Sequence, residues 1–416
     1  MFKKSFIKLI AKLESVTPSF LERKISQGLI VIPNNKKRNL ARPCAIGDGL
    51  RIKINTNIGI STAESCMEKE INKLKIALSS GSDTVMDLSV GKNTSQVRKQ
   101  IIENCPVALG TVPIYEIAAL AQNQKGGMEK FNFDDIWNIL NDHAKNGVDF
   151  FTLHAGMLRK NLSPSNINSR IGGIVSRGGA LLTKWMLLNK RENPFYANFD
   201  KILELAKEYN ITLSLGDGLR PGAIADSSDR LQISELKVLG ELVKRCRKNG
   251  VQAMVEGPGH IRLDEIVPNI KLAKKICLNA PLYVLGPLPL DIASGYDHIS
   301  AAIGSTFAAL SGANFLCVVT PAEHLSHPSL DDIKEGVMAS RIAAHCVDAI
   351  RFKKEWEKDY RVSQYRAKRE WEKVFSHSID REKAKAYRQR KKISSSVCTM
   401  CGDFCSLKIN EECGIL

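Results

Sequence analysis

Residues 211–222 read ITLSLGDGLRPG: a β-prone run, Ile211–Leu215, passes directly into a glycine-rich turn that carries Asp217 and Arg220. The same pattern recurs along the chain. Runs rich in strand formers occupy Arg51–Asn55, Thr84–Leu88, Val107–Val112, Asp149–His154, Ile211–Leu215, Val251–Glu256, Leu282–Leu285 and Asn314–Val319. Between them lie helical patterns such as Ala63–Ser80, Asp134–Asn146, Ser234–Asn249, Leu263–Cys277 and Leu330–Ile350. Eight strands alternating with helices predict an α/β fold, a (β/α)8 TIM-type barrel. A further run, Gly173–Val175, is too short to count. A doubly wound open sheet shares the alternation, but no G-x-G-x-x-G follows the first strand.

The barrel then spans residues 51–350, after a small N-terminal region, 1–50. In the N-terminal region Phe2, Phe6, Leu9 or Ile10, and Leu13 predict one apolar face of a helix packed on the body. Residues 351–393 change texture to a helical segment with sparse aromatic anchors, Trp356, Tyr360, Trp371 and Phe375. Ser394–Ser396 reads as a flexible link into a cysteine tail, 394–416.

Composition narrows the class. Of 416 residues 44% are hydrophobic and 25% charged, globular values that exclude disorder for most of the chain. The formal net charge of +16 belongs to the flanks. Residues 1–42 hold ten Lys/Arg against two Asp/Glu and residues 351–392 sixteen against seven, which leaves 43–350 near neutral. A nucleic-acid enzyme concentrates its basicity along the working groove, so no nucleic-acid partner is expected. No membrane association is expected either: no run approaches the roughly 18–20 apolar residues of a span, and Lys8 and Lys12 interrupt any signal-peptide core. Seven of the eleven cysteines are scattered through the body, which fits a reducing, cytoplasmic compartment.

A barrel of this type gathers its active site at the C-terminal strand ends. The residues there are Asn57, Asp87, Tyr115, His154, Asp217, Arg220, Glu256, His260, Glu323 and His324. Gly59, Gly172, Gly173, Gly178, Gly179, Gly216, Gly218, Gly257 and Gly259 crowd the same loops, and with Arg177 and Arg220 they suit a phosphate. His260 and His324 are candidate ligands for zinc or iron, or histidines hydrogen-bonded to barrel loops. In the tail, Cys398, Cys401 and Cys405 stand at C-x2-C-x3-C spacing. Three such thiolates can hold a [4Fe–4S] cluster with one open iron for S-adenosylmethionine, or join Cys413 in a zinc knuckle.

Together NIG (57–59), DTVMDLS (83–89), GTVPIY (110–115), GIVSRGG (173–179), SLGDGLRPG (214–222), VEGPGH (255–260), YVLGPL (283–288), GYDHI (295–299), TPAEHL (320–325) and CTMCGDFC resemble phosphomethylpyrimidine synthase, the thiamine-pathway ThiC family. The likeness runs from about residue 20 to the tail. It implies a non-standard radical S-adenosylmethionine lyase, a homodimer served by an external electron donor. Such an enzyme turns 5-aminoimidazole ribotide into hydroxymethylpyrimidine phosphate with loss of formate and carbon monoxide. It assigns substrate contacts to Asn57, Met86, Tyr115, His154, Ser176, Arg177, Gly178, Asp217, Gly218, Leu219, Arg220, Glu256 and Tyr283, a divalent metal (zinc or iron) to His260 and His324, and the cluster to Cys398, Cys401 and Cys405. Met86, Leu219 and Tyr283 come from resemblance only. Departures are the cysteine spacing, one residue shorter than C-x2-C-x4-C, Thr56 in NTNIG, Ala180 after SRGG, Ser294 before GYDHI, and Ser326 and His327 where the family pattern reads EHLGLP. They also suit a sister enzyme, 5-hydroxybenzimidazole synthase, which acts on the same ribotide.

Two readings from other classes compete: a zinc-knuckle protein whose basic helices bind nucleic acid, and a metallohydrolase using His260, His324 and Glu256. Substitution of Cys413 separates cluster from knuckle. After anaerobic reconstitution Cys413→Ala is expected to keep its full iron and sulfide content. Loss of bound metal in that variant, with zinc in place of iron in the unmodified protein, is the opposite outcome.

Overall fold

The computed structural model describes residues 2–91, 93–390 and 396–415. Eight parallel strands close into a barrel: β1 (Lys53–Ile58), β2 (Thr84–Asp87), β3 (Ala108–Thr111), β4 (Phe150–Leu153), β5 (Thr212–Leu215), β6 (Ala253–Glu256), β7 (Leu282–Val284) and β8 (Phe315–Cys317). Each pairs with the next, and β8 closes on β1 through Phe315–Lys53, Leu316–Ile54 and Cys317–Asn55. All eight fall on the runs read from the sequence, and residues 173–175 form no strand. One boundary moves in an informative way. β1 runs through Ile58, because Asn57 and Ile58 pair with Met86 and Asp87. Asn57 therefore belongs to the strand, not to the loop after it, and Asp87 stays in its strand as expected.

Local chemistry sets the helix limits. Helix Phe133–Asn146 opens with a capping box: Asp135 N–H donates to Asn132 Oδ1 (3.0 Å) and Asn132 N–H to Asp135 Oδ2 (2.7 Å). It closes at Gly147, whose φ of 98° suits a residue without Cβ. Helix Arg230–Asn249 starts four residues before the expected Ser234, because Asp229 is its N-cap and accepts from Gln232 N–H at 2.9 Å. The helix expected from Ala63 starts only at Met67, since Ser61 and Glu64 close a turn on each other first.

Residues 1–344 form one compact unit, so the N-terminal region and the barrel are continuous. Helix Lys4–Leu13 buries Ile7, Ile10 and Ala11 against Leu21, Ile30, Ile32, Ala45 and Leu50. Of the alternatives Leu9 or Ile10, Ile10 is the buried one and Leu9 is exposed (45%), while Leu13, expected on the buried face, is exposed (50%). The apolar stripe follows the i, i+3, i+4 spacing of residues 7, 10 and 11, which turns Leu9 and Leu13 outward. The following segment seals the N-terminal end of the barrel. Asn35 Nδ2 donates to the carbonyls of Ala144 (2.8 Å) and Val148 (2.9 Å), and Gln252 exchanges two hydrogen bonds with the backbone of Ile32.

Residues 345–416 form the second unit. The boundary falls inside helix Leu330–Arg351, a few residues before the expected end of the barrel at 350. Within this unit are helices Lys353–Ala367, Trp371–His377, Arg381–Gln389 and Ser406–Glu412. Phe375 is buried, but Trp356 and Tyr360 are half exposed and stack on each other 5.2 Å apart, so they do not anchor this unit's core. Most of the Ser394–Ser396 link lies outside the described residues. Among the described residues no helix is long and apolar enough to cross a membrane.

Lys53, at the seam between β8 and β1, is buried with its ammonium 2.9 Å from Glu14. Removing one partner of such a pair leaves an uncompensated buried charge. Glu14→Gln is expected to cost about 3–5 kcal/mol in chemical denaturation. Asp48→Asn, which breaks the exposed Lys24–Asp48 pair, is expected to cost less than about 1 kcal/mol.

Candidate active site

The C-terminal strand ends surround a cavity of about 270 Å³. Nine of the thirteen positions assigned to substrate line it: Asn57, Met86, Tyr115, His154, Arg177, Asp217, Arg220, Glu256 and Tyr283. Leu88, Val112, Val175, Val284 and Leu285 supply an apolar wall. Asp87 stays out of the lining; its carboxylate accepts from Ser89 N–H at 2.9 Å.

The remaining four positions support the lining from behind. Ser176 is the N-cap of helix Arg177–Asn189: its Oγ accepts from Gly179 N–H at 3.2 Å and lies 3.3 Å from His154 Nε2. The glycines after it are a packing requirement. A Cβ on Gly178 would fall 2.3 Å from the His154 ring, and one on Gly179 only 2.1 Å from the carbonyl of Gly218. The helix N-terminus, with its partial positive charge, therefore lies against the cavity edge beside Arg177. The Arg177 guanidinium lies 4.9 Å from the Tyr115 ring centre. In the 214–222 turn, Leu219 is buried and its N–H donates to Glu235 at 2.8 Å. That N–H is already engaged by protein.

Electrostatics divide the lining into groups that hold and groups that release protons. Burial pushes the Asp217 carboxyl up to about 8, outweighing the pull of Arg220 Nη1 at 3.0 Å. Burial also raises Glu256, although Thr152 and Ser214 hydroxyls each donate to its Oε1 at 2.8 Å. His154 moves the other way. Burial, then the Arg220 charge, lowers it to about 3, so its ring is neutral, and its Nδ1 is buried without a hydrogen-bond partner. On the opposite wall Asn55 donates to the Tyr283 hydroxyl (2.7 Å) and to Asn57 Oδ1 (2.9 Å), and Asn57 donates to Cys317 Sγ (3.2 Å). The cavity offers two guanidinium groups, a protonated acid and a neutral imidazole side by side, equipment for a small anionic, polyhydroxylated molecule.

His260 and His324, 64 positions apart in sequence, meet at the rim with their Nε2 atoms 3.2 Å apart. Asp291 lies 2.6 Å from His260 Nδ1, and Asp297 3.3 Å from His324 Nδ1. Asp291 bonds His260 at Nδ1 and so favours a proton there and a lone pair on Nε2, whereas Asp297 Oδ2 makes no hydrogen bond with His324. A tetrahedral zinc holding two imidazoles at about 2.0–2.1 Å separates their nitrogens by about 3.3 Å. The pair fits a borderline divalent ion.

In the second unit, backbone N–H groups of Cys401 and Met400 turn toward the Cys398 sulfur and lower its pKa, while that neighbouring charge raises Cys401. Cys405 is buried. Among the described residues no three His, Cys, Asp or Glu side chains are gathered closely enough to hold one metal ion. The Cys398–Cys401 pair is the part of the donor set already brought together, and its stabilised thiolate suits an iron–sulfur cluster.

A model of the radical SAM ThiC family matches residues 3–412. The chain belongs to that family. It is 48% identical over 407 residues (97% of this chain, 94% of the relative) to a phosphomethylpyrimidine synthase of Desulforamulus reducens. It is 49% identical over 408 residues (98% and 94%) to one from Thermoanaerobacter sp. strain X514. Among solved structures, a dihydropteroate synthase of Xanthomonas albilineans aligns at 9% identity with a TM-score of 0.43, covering 77% of this chain and 98% of that one. Several residues of this ThiC family member's site escaped the sequence reading: Thr152, Ser214, Asn55, Cys317 and Glu235. Arg170 also escaped it; this buried guanidinium clamps Asp229 and donates to the Leu219 carbonyl at 2.6 Å. Hydroxyls inside the apolar runs FFTLH and ITLSLG were the available signal for the first two. Glu235 and Arg170 lie on or before helices and left none.

Asp217 supplies a pH test. Its carboxyl titrates near 3.9 when unfolded and near 8 when folded. Between those values the folded state keeps a proton that the unfolded state has lost, so stability falls as pH rises. In ligand-free protein, Asp217→Asn is expected to flatten the drop in thermal midpoint between pH 6 and 8.

Proposed function

We propose that this chain is a radical S-adenosylmethionine lyase. It converts 5-aminoimidazole ribotide into 4-amino-5-hydroxymethyl-2-methylpyrimidine phosphate, a step of thiamine biosynthesis, with release of formate and carbon monoxide. The observation that carries this reading is 48% identity to a phosphomethylpyrimidine synthase across 97% of the chain. The lined cavity agrees with it in size and charge.

Each residue has a task in this reading. Arg177 and the N-terminus of helix Arg177–Asn189 hold the ribotide phosphate, where a guanidinium and a helix dipole act together, and Ser176 caps that helix from behind. Arg220 is braced by Asp217 and adds a second cation. Protonated Asp217 donates to a ribose or imidazole acceptor, while Glu256, fixed by Thr152 and Ser214, accepts from a ring amine or hydroxyl. Neutral His154 offers its unpartnered Nδ1. Leu88, Val112 and Val284 exclude water, which protects a reactive carbon centre from stray hydrogen donors. Cys398, Cys401 and Cys405 hold a [4Fe–4S] cluster, and His260 and His324 a zinc or iron ion. When bound, the cluster supplies the electron that splits S-adenosylmethionine to a 5′-deoxyadenosyl radical. A homodimer fed by an external reductant in the cytoplasm is the working form that family resemblance implies.

Product analysis tests this reading. Anaerobically reconstituted protein given the ribotide, S-adenosylmethionine and a reductant is expected to yield 5′-deoxyadenosine and the pyrimidine phosphate by mass spectrometry. Cys398→Ala is expected to yield neither. 5-Hydroxybenzimidazole as the product reassigns the chain to the sister activity. No 5′-deoxyadenosine from cluster-loaded protein overturns the radical reading, and full turnover by Cys398→Ala favours a metallohydrolase.

A further inference from the structure

Beside the first cavity lies a second of about 510 Å³, which shares Asn57, Leu88, Arg177 and Glu323 with it. Its wall holds a ring of side chains that the proposed chemistry does not use. Gly59, directly after β1, gives its N–H to Glu70 Oε2 at 2.7 Å. Glu70 Oε1 takes Lys73 Nζ at 2.9 Å, and Lys73 Nζ in turn reaches His327 Nδ1 at 2.9 Å. His327 Nε2 returns to the carbonyl of Gly59 at 3.0 Å. Both polar groups of one residue are thus clamped by one closed circuit.

The circuit has a single consistent protonation pattern. A lysine ammonium only donates, so His327 Nδ1 accepts, its Nε2 carries the hydrogen, and the imidazole is neutral. Glu70 and Lys73 are 1% and 4% exposed, and such a charged pair is stable only with its hydrogen bonds filled. Only glycine fits the clamped position. Its φ is +137°, and a Cβ there would lie 2.4 Å from Ser89 N. The ring ties two pieces of the mouth together: the turn two residues beyond Asn57, and the loop after β8 that carries Glu323 and His324. His327 replaces the leucine of the EHLGLP family pattern, so the closing member belongs to this chain's own sequence.

We infer that His327, with Lys73 and Glu70, is a positioning residue that locks the loop after β8 onto the end of β1 and so holds the substrate-facing wall in its binding geometry. The inference rests on the ribotide reading. Side chains that orient ligand-contacting groups act through preorganisation, and loosening them weakens binding without touching the ligand.

The test is ribotide affinity in cluster-reconstituted enzyme without S-adenosylmethionine, measured by calorimetry alongside the thermal midpoint. His327→Leu is expected to raise Kd at least 5-fold. His327→Gln carries one acceptor for Lys73 and one donor for Gly59, and is expected to stay within 2-fold of the unmodified protein. Lys73→Met combined with His327→Leu is expected to lose no more than the worse single variant, because one broken link opens the whole ring. If the unmodified protein fails to bind the ribotide, the substrate assignment falls. If it binds and His327→Leu binds within 2-fold, the positioning role is overturned, whatever happens to the midpoint. A Gln variant as weak as the Leu variant, or losses that multiply in the double variant, overturns it too.

Discussion

An ammonium buried at the barrel seam constrains the rest of this molecule. Lys53 is the β1 residue that pairs with Phe315 of β8, and its charge is met by Glu14 at the end of the first helix. Glu14 also accepts from Ala45 N–H at 3.0 Å, so the carboxylate joins the N-terminal region, the seam and the segment entering β1. Without that partner, desolvation of the ammonium opposes the pairing that closes the sheet. Closure in turn sets Cys317 across from Asn55 and within reach of Asn57, and turns every strand end toward one mouth.

At that mouth, burial and close packing do the electrostatic work together. The glycines at 178 and 179 let a helix N-terminus approach His154 and the 214–222 turn more closely than any Cβ permits. The same proximity strips water from Asp217, Glu256 and His154, and each shifts toward its neutral form. What stays charged is arginine, which burial cannot neutralise. The outcome is a cavity whose cations are permanent and in which Asp217 keeps its proton, suited to a phosphate ester with hydroxyl and amine groups.

Supporting residues behind the lining share one logic. Glu235 holds Leu219 N–H, Arg170 clamps Asp229 and the Leu219 carbonyl, and Thr152 with Ser214 fixes Glu256. Each fixes a turn backbone or a lining side chain from outside the cavity without itself lining it, Thr152 excepted. The circuit through Gly59, Glu70, Lys73 and His327 extends this logic to the far side of the mouth.

The alternation of β-prone runs and helical patterns, the glycine turns after them and the spacing of the tail cysteines are local properties, and the sequence alone determined them. Asp217, Glu256 and His260 were legible because a polar residue ending an apolar run stands out among its neighbours. Partnership was not legible. His260 meets His324 across 64 positions, and Asn57 meets Cys317 across 260, because closure and register bring their strands together. Cys317, Ser214 and Thr152 looked like ordinary members of β runs, and Glu235 like one more helix acid; their roles arise from atoms distant in the chain. Which face the first helix buried, which acids kept protons and which loops were tied together were decided only by tertiary structure. Burial and through-space contact depend on distances that neighbouring letters do not record.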